Sequence, residues 1–197
     1  MITLEEVRRA LRAHQAVAVE APEARPAAVA LILHPAAGEL EALFIKRAER
    51  AGDPWSGQVA LPGGRSEAGD ADLLATALRE TREETGIDLT SSEQLGRLDD
   101  LYPRTPTLPP VVVRPFVFAV TARPALVPDV EVERAFWVPL RRLAEPGVRR
   151  EVTLTVQGVE RTFPAYHLGD DVIWGMTERI ITPFVELLSR GTRGARG

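Results

Sequence analysis

Residues 60–87 read ALPGGRSEAGDADLLATALRETREETGI, and they join a Pro-Gly-Gly bend to a helix that ends in clustered acids. Two successive glycines after a proline indicate a tight bend that another segment of backbone can approach closely. Asp70 or Asp72 is suited to cap the helix, and Gly86, directly after Thr85, is suited to end it. The stretch therefore predicts a strand, a glycine bend and a helix in immediate succession.

Glu80, Glu83 and Glu84 lie near the end of this helix, within an arc of roughly 100° at the spacing of an α-helix. Like charges this close destabilise an isolated helix by a few tenths of a kcal/mol per pair. One interpretation is a solvated face with ion pairs, such as Arg79 with Glu83 one turn later. The other is a bound cation that offsets the repulsion. The residues expected to face a sheet from the opposite side are Leu74, Ala77, Leu78, Thr81 and Thr85.

The side chains available in the sequence restrict what such a cation is. The chain has no cysteine and only three histidines, so the ligands would be mostly oxygen atoms, which favours Mg²⁺, Mn²⁺ or Ca²⁺. A main-chain carbonyl at the diglycine can join the three glutamates in an all-oxygen site. Because protein-bound Mg²⁺ usually also holds substrate phosphates, Arg47, Arg65 and Gln58 are candidates for binding phosphate or ribose. No Ser, His or Cys arrangement suggests a covalent intermediate, so the pattern predicts direct attack by water on phosphorus.

A chain of 197 residues fits one domain of generous size or two very small ones, and 45% hydrophobic residues is typical of a globular protein. Together with the order of elements described below, this predicts a single domain over residues 1–197. The net charge of −4 gives no reason to expect nucleic acid or an anionic membrane as a partner. The sequence has no apolar run of transmembrane length, and its charged start, MITLEEVRRALRAHQAV, is unlike a signal peptide. We therefore expect a cytoplasmic protein that acts on a small molecule.

Hydrophobic patterning divides the first part of the chain into short elements. A capping-box pattern from Thr3 precedes a helix at about 4–15, within an N-terminal segment of residues 1–20. Two hairpins are expected, one around the turn at 34–39 and one around Gly158. The first arm of the earlier hairpin, AAVALIL, is apolar throughout, which predicts a central strand buried on both faces.

The later segments complete a mixed pattern of strands and helices. Residues 111–120 read as a strand in which Pro115 indicates an edge or a bulge. A last helix is expected at about 173–189, kinked at Pro183, and the tail 191–197 is expected to be disordered. The order of helix, strands, helix, strands and helix predicts an α+β fold with a mixed sheet.

Residues 64–87 closely resemble the Nudix box, a pattern of G, five residues, E, seven residues and REUXEEXGU, where U is aliphatic. Gly64 fits the first glycine, and RETREETGI, which starts at Arg79, fits the end. Asp70 stands where glutamate is usual, and eight residues rather than seven separate it from Arg79. Thr81 also replaces an aliphatic residue.

The lead-in FIKRAERAGDPWSGQVALPGG at 44–64 and the segment VIWGMTERII at 172–181 resemble the coenzyme A pyrophosphatase branch of this family. The resemblance implies an α/β/α sandwich with a central mixed sheet. It also implies metal-dependent hydrolysis, with Mg²⁺ or Mn²⁺, of a nucleoside diphosphate linked to another moiety. ADP-ribose, dinucleotides and nucleoside triphosphates are alternative substrates, and a non-catalytic nucleotide-binding module is a lower-ranked alternative. Related enzymes often form homodimers. Trp55 and Tyr102 are candidates either for stacking on an adenine ring or for ordinary packing.

Carried over to this sequence, the resemblance makes Glu80, Glu83 and Glu84 metal ligands together with the Gly64 carbonyl. It gives Arg79 the role of orienting Glu83 through a salt bridge. The general base is either Glu83 or a later carboxylate, and Glu131, in PDVEVERAFWVPL, is the candidate outside the box.

Overall fold

The computed structural model describes residues 2–50, 56–104, 109–156 and 158–194, and it describes side chains as far as residue 190. Trp55, one of the two candidates for adenine stacking, lies outside these ranges. In chain order the elements are α1 (Leu4–Ala13), β1 (Arg25–Ala36), β2 (Glu39–Arg47), β3 (Val59–Ala60), β4 (Gly63–Arg65), α2 (Leu73–Thr85), β5 (Glu93–Arg97), β6 (Val111–Ala119), β7 (Val132–Pro139), α3 (Leu140–Leu143), β8 (Arg149–Val156), β9 (Val159–Leu168), β10 (Asp171–Trp174) and α4 (Gly175–Gly194).

The described residues form a central mixed sheet, as the sequence predicted. Its strands follow the order β3-β2-β1-β6-β5, with β4 paired to β1 and β7 paired to β2. Strands β1 and β6 are parallel, and the other pairs are antiparallel. A parallel pair requires a long crossover connection, and here the chain between the two strands contains α2. The hairpin expected around Gly158 is present as β8 and β9, which form a second sheet with β10.

Strand β1 supplies both faces of the core, which confirms the expectation from its uniformly apolar sequence. Ala28 and Ile32 pack in one cluster with Ala77 of α2. Ala27 and Leu31 belong to the opposite cluster, to which α1 and α4 contribute. Because successive residues of a strand point to opposite faces, one strand can bury both sets. Helices therefore cover both faces of the sheet in an α/β/α arrangement.

The first helix follows its predicted signal closely. The Thr3 hydroxyl accepts a hydrogen bond from the Glu6 N–H at 3.2 Å, and the Glu6 carboxylate accepts one from the Thr3 N–H at 2.8 Å. These two bonds satisfy backbone donors at the start of α1. In the described part of the chain, no helix is long and apolar enough to cross a membrane.

Pro115 occupies a different position from the edge or bulge that the sequence indicated. Strand β6 is bonded to β1 on one side and to β5 on the other, and the register shift lies in β5, between Gln94 and Gly96. The Leu98 N–H donates to the Pro115 carbonyl at 3.0 Å, just after β5 ends at Arg97. Pro115 thus lies just beyond the last residue pair between β5 and β6. Its missing N–H therefore breaks no hydrogen bond between these two strands.

The last helix starts later than expected. Ile173 and Trp174 belong to strand β10, in which Ile173 pairs with Tyr166 of β9. Gly175 follows with a φ of +68°, a conformation that glycine adopts readily, and this residue turns the chain from the strand into α4.

The expectation of a disordered tail is corrected for part of its length. Helix α4 continues to Gly194, so residues 191–194 are helical, because an established helix gains one hydrogen bond for each residue added. Residues 195–197 lie outside the described ranges. The short strand β5 and the single turn α3 were not predicted, since neither carries a strong periodic pattern.

Candidate active site

The diglycine forms strand β4 and lies directly against β1. Gly63 pairs with Val29 and Gly64 pairs with Ala28. Gly63 has a φ of +150°, and a Cβ atom there would collide with the Ala28 carbonyl and the Val29 backbone. Only glycine fits this position, because the backbone conformation and the close approach both exclude a side chain.

Gly64 makes room for a carboxylate instead of a backbone. A Cβ atom at this residue would collide with all three carboxyl atoms of Glu80. Helix α2 packs on the Ala28 face of the sheet, whereas the cavity described below also contains Ala27 and Val29 from the other face. Since neither glycine has a side chain, carboxylates from α2 reach past β4 into that cavity.

Glu84 is the most buried of the three box glutamates, with 5% of the residue exposed. The Gly63 N–H donates to its Oε2 at 2.8 Å, and an Arg47 guanidinium nitrogen lies 3.7 Å from its Oε1. Burial, with a smaller contribution from the charge of Glu80, raises the pKa of Glu84 to about 8. The helical spacing places Glu84 beside the buried residue Ala77, so Glu84 borders the core-facing side of α2 and does not lie opposite it.

Glu80 and Glu83 share one arginine as a partner. An Arg79 guanidinium nitrogen lies 3.0 Å from a carboxylate oxygen of each, so the predicted i,i+4 pair with Glu83 is present. Burial raises the pKa of Glu80, although its bond to Arg79 acts in the opposite direction. The Glu83 side chain is 49% exposed. The ion pairs predicted by the first interpretation are present at Glu80 and Glu83, and the bound cation of the second interpretation stays a prediction.

Asp70 anchors Arg79, a role different from the helix cap for which the sequence made it a candidate. The Arg79 guanidinium donates to both of its oxygens, at 2.9 and 3.0 Å, in a bidentate pair. The Thr76 hydroxyl and the Glu67 N–H also donate to Asp70, each at 2.9 Å. The bonds from Arg79 and from the Glu67 backbone hold the pKa of this carboxyl well below its usual range. Asp72 is the residue that caps α2, by accepting a bond from the Ala75 N–H.

A cavity of about 410 Å³ brings together most of the predicted site residues. Glu83 is not among its lining residues, because its side chain turns toward Arg79. The polar side chains that line the cavity are those of Arg47, Gln58, Arg65, Glu80, Glu84, Glu131 and Thr177, and the backbone of Gly64 also borders it. An aliphatic wall, formed by Val29, Val111, Val113, Met176 and Ile180, completes it. Sequence analysis missed this wall, because no local pattern shows which residues of β6 and α4 meet across the fold.

Glu131 lines the cavity from the loop before β7, as the sequence suggested. Its carboxylate lies 2.8 Å from an Arg50 guanidinium nitrogen, and its side chain is 46% exposed. Its N–H donates to the Asp129 carboxylate at 2.7 Å, which fixes the backbone at this point. The structure places Glu131 where it could act on a bound substrate, and its role as a base stays a prediction. Tyr102 is engaged elsewhere, since its hydroxyl donates to Glu23 at 2.7 Å.

The donor atoms around the diglycine fit a hard divalent cation. Among the described residues, no three acidic or histidine side chains are already grouped as a metal site. Glu80 and Glu84 nevertheless face one cavity, and burial disfavours the charged form of both carboxyl groups. A cation would remove this penalty, and its ligands would be oxygen atoms, as Mg²⁺ and Mn²⁺ prefer. Rotation of the half-exposed Glu83 side chain away from Arg79 would supply a third carboxylate.

Comparisons with known proteins agree with this geometry. The NUDIX domain matches residues 24–155. The mitochondrial coenzyme A diphosphatase NUDT8 of Homo sapiens is 32% identical over 174 residues, which make up 86% of this chain and 72% of that protein. A MutT/nudix family protein from Enterococcus faecalis has a similar structure, with a TM-score of 0.57 and 22% identity over 97% of this chain and 70% of the other. The NUDIX domain of Shewanella oneidensis NrtR, solved in complex with ADP ribose, has a TM-score of 0.50 and 22% identity over 64% of this chain and 78% of the other. Fold, sequence match and site residues lead to one conclusion: this chain belongs to the Nudix hydrolase family.

Proposed function

We propose that this protein hydrolyses the diphosphate of coenzyme A or of its derivatives. The observation that carries the proposal is the pair of desolvated carboxylates, Glu80 and Glu84, that face a cavity at the diglycine beside Arg47. The likeness to a coenzyme A diphosphatase over most of the chain supports the choice of substrate.

The arginines of the cavity are suited to hold the diphosphate. Arg47 and Arg65 both line it, and Gln58 adds a side-chain amide. Guanidinium groups bind phosphate oxygens through charge-assisted hydrogen bonds, often two at once. The Gly63 N–H is committed to Glu84, so the anchoring of the substrate depends mainly on these side chains.

The metal ligands in this proposal are Glu80, Glu83, Glu84 and the Gly64 carbonyl. Mg²⁺ or Mn²⁺ bound there would offset the phosphate charge and lower the pKa of a bound water. Arg79 pairs with Glu80 at the cavity and with Glu83 outside it, and Asp70 holds Arg79 in turn. Either Glu83 or Glu131 would accept the proton from the attacking water. The water oxygen bonds to one phosphorus while the bridging P–O bond breaks.

The direct test is to identify the products. Coenzyme A, ADP-ribose and NADH would each be incubated with Mg²⁺ or Mn²⁺, with and without a chelator, and the products separated by chromatography. We expect 4′-phosphopantetheine and adenosine 3′,5′-bisphosphate from coenzyme A. Preferred cleavage of ADP-ribose, of NADH or of a nucleoside triphosphate would replace the proposed substrate, and no turnover of any diphosphate would favour a binding module.

Two variants separate catalysis from general damage. Glu84→Gln keeps the shape of the side chain and an acceptor for the Gly63 N–H, so a loss of turnover would reflect the missing charge. Glu133→Gln is the matched control, because Glu133 pairs with Lys46 at 3.0 Å and does not line the cavity. Unchanged turnover in Glu84→Gln would contradict the assignment of this residue.

Cytoplasmic location and homodimer formation, both expected from the sequence, remain proposals. Cell fractionation and light scattering coupled to size exclusion would test them.

A further inference from the structure

The two ends of the active-site cavity differ in chemistry and are separated across the sheet. β4, with the diglycine, pairs with one edge of β1, and β6 pairs with the other edge. Because neighbouring strands lie about 4.8 Å apart, β6 is roughly 10 Å from the diglycine. The carboxylates and arginines lie toward the diglycine, whereas Val111 and Val113 of β6 belong to the far end.

The far end offers aliphatic contacts to whatever group extends beyond the diphosphate. Met176 and Ile180 of α4 face the cavity together with Val111 and Val113. None of the described residues that line the cavity is aromatic. A second nucleoside or a ribose would need stacking partners or hydrogen-bond partners, and this wall provides few of either. A flexible arm with methyl and methylene groups would instead bury apolar surface against it.

Ile180 closes the aliphatic end. This residue is 5% exposed, and it lines both the active-site cavity and a second, larger cleft of about 730 Å³. Two further residues lie on opposite sides of this boundary: Val113 lines the active-site cavity, and Leu101 lines the second cleft. The backbones of these two residues exchange hydrogen bonds of 2.8 and 2.9 Å. The boundary between the two spaces is therefore formed in part by the bonded backbones of Val113 and Leu101 and in part by the Ile180 side chain.

We propose that the aliphatic wall receives the non-nucleotide arm of the substrate and that Ile180 limits the length of that arm. The inference rests on the proposed function, because it assumes that the diphosphate lies at the diglycine. A substrate whose arm ends before Ile180 fits the cavity, and an arm extended by an acyl chain meets the Ile180 side chain. Removing that side chain would open a path into the second cleft, whose lining combines the apolar residues Leu98, Leu101 and Leu187 with charged residues such as Asp100, Arg149 and Glu178.

The test measures binding, so that it does not depend on turnover. Dissociation constants for coenzyme A and for its S-octanoyl thioester would be measured by calorimetry, in the presence of a chelator. In Ile180→Ala we expect the affinity ratio of octanoyl-coenzyme A to coenzyme A to rise by about tenfold or more over wild type, since each methylene newly buried is worth about fourfold. Ile180→Phe should lower the same ratio. Ile180→Val removes a single methylene, so it keeps the test informative if Ile180→Ala does not fold, and its ratio should rise by up to about fourfold.

The control is Val185→Ala, on the same helix. Val185 packs against the core but lines neither space, so its ratio should equal that of wild type. Equal ratios in wild type and folded Ile180 variants, or no measurable binding of either ligand, would overturn the inference. Failure of the proposed function has a different signature. In that case coenzyme A would not be cleaved with metal present, while the Ile180 variants would still shift the binding ratio.

Discussion

The buried carboxyl of Glu84 makes a prediction about stability that needs no substrate. We expect Glu84→Gln to stabilise the metal-free protein increasingly as the pH rises. In the folded protein, burial raises the pKa of Glu84 from 4.5 to about 8. Between these two pH values the folded state holds a proton that the unfolded state has released, so the free energy of unfolding falls as the pH increases.

The size of the effect follows from the pKa displacement. At about 1.36 kcal/mol for each pKa unit, a carboxyl group moved from 4.5 to about 8 destabilises the folded state by about 5 kcal/mol above pH 8. The group is nearly inaccessible, so solvent screening reduces this value little. Glutamine has no ionisable proton and retains an oxygen for the Gly63 N–H. The variant should therefore exceed wild type in stability by little near pH 5 and by about 5 kcal/mol at pH 9.

Urea unfolding between pH 5 and pH 9, with a chelator present, would measure this difference. Adding Mg²⁺ or Mn²⁺ at 100 times its dissociation constant should raise wild-type stability at high pH by about 2.7 kcal/mol, because the ion binds the folded state alone. The variant should respond much less, because it lacks the charged ligand. Glu133→Gln, in which an exposed carboxylate is replaced, should follow wild type at every pH. Parallel stability curves for wild type and Glu84→Gln would refute the reasoning.

Three further predictions concern neighbouring residues. Asp70→Asn should lower kcat/KM by about 10- to 100-fold, as expected when a residue that positions a metal ligand is lost. Asp70→Ala should lower kcat/KM at least as much. Activity equal to wild type would show that the bidentate pair does not position Arg79. Gly63→Ala should lower the melting temperature far more than Gly64→Ala, because the Cβ atom at residue 63 meets fixed backbone and the one at residue 64 meets the movable end of Glu80. Gly64→Ala should chiefly weaken Mn²⁺ binding, measured by calorimetry. The reverse order of melting temperatures would contradict the geometry of the bend. Thr81→Val should raise the free energy of unfolding, measured in urea, by about 1 kcal/mol, since the buried Thr81 hydroxyl has no hydrogen-bond partner among the residues that the structure describes. A fall in stability would show that the hydroxyl is satisfied.

Local chemistry made much of the fold predictable. The capping box at Thr3, the apolar run of β1 and the glycine after Thr85 each act within a few residues, and each has the predicted effect. Strand β5 and the position of Pro115 depend on which strands become neighbours, and sequence periodicity does not encode that choice. The predicted start of α4 was wrong because a short apolar segment such as Ile173 and Trp174 fits a strand as well as a helix.

The candidate site divides in the same way. The box residues could be identified because their spacing along one helix is their spacing in space. The aliphatic wall depends on contacts between segments that are distant in sequence. The role of Asp70 depends on the particular length of the loop that carries it. The burial of Glu84 also depends on its approach to β4, and this burial raises the pKa of Glu84.

The parallel pairing of β1 with β6 has a consequence for how the chain is synthesised. Residues 25–33 find their partners only at residues 111–119, after the glycine bend and α2 have already been made. A nascent chain on the ribosome therefore exposes one edge of its most apolar strand until β6 emerges, and such delayed long-range pairing slows folding and invites aggregation. Fragments that end before residue 111 would contain the whole acidic motif and still lack the strand that seals the centre of the sheet.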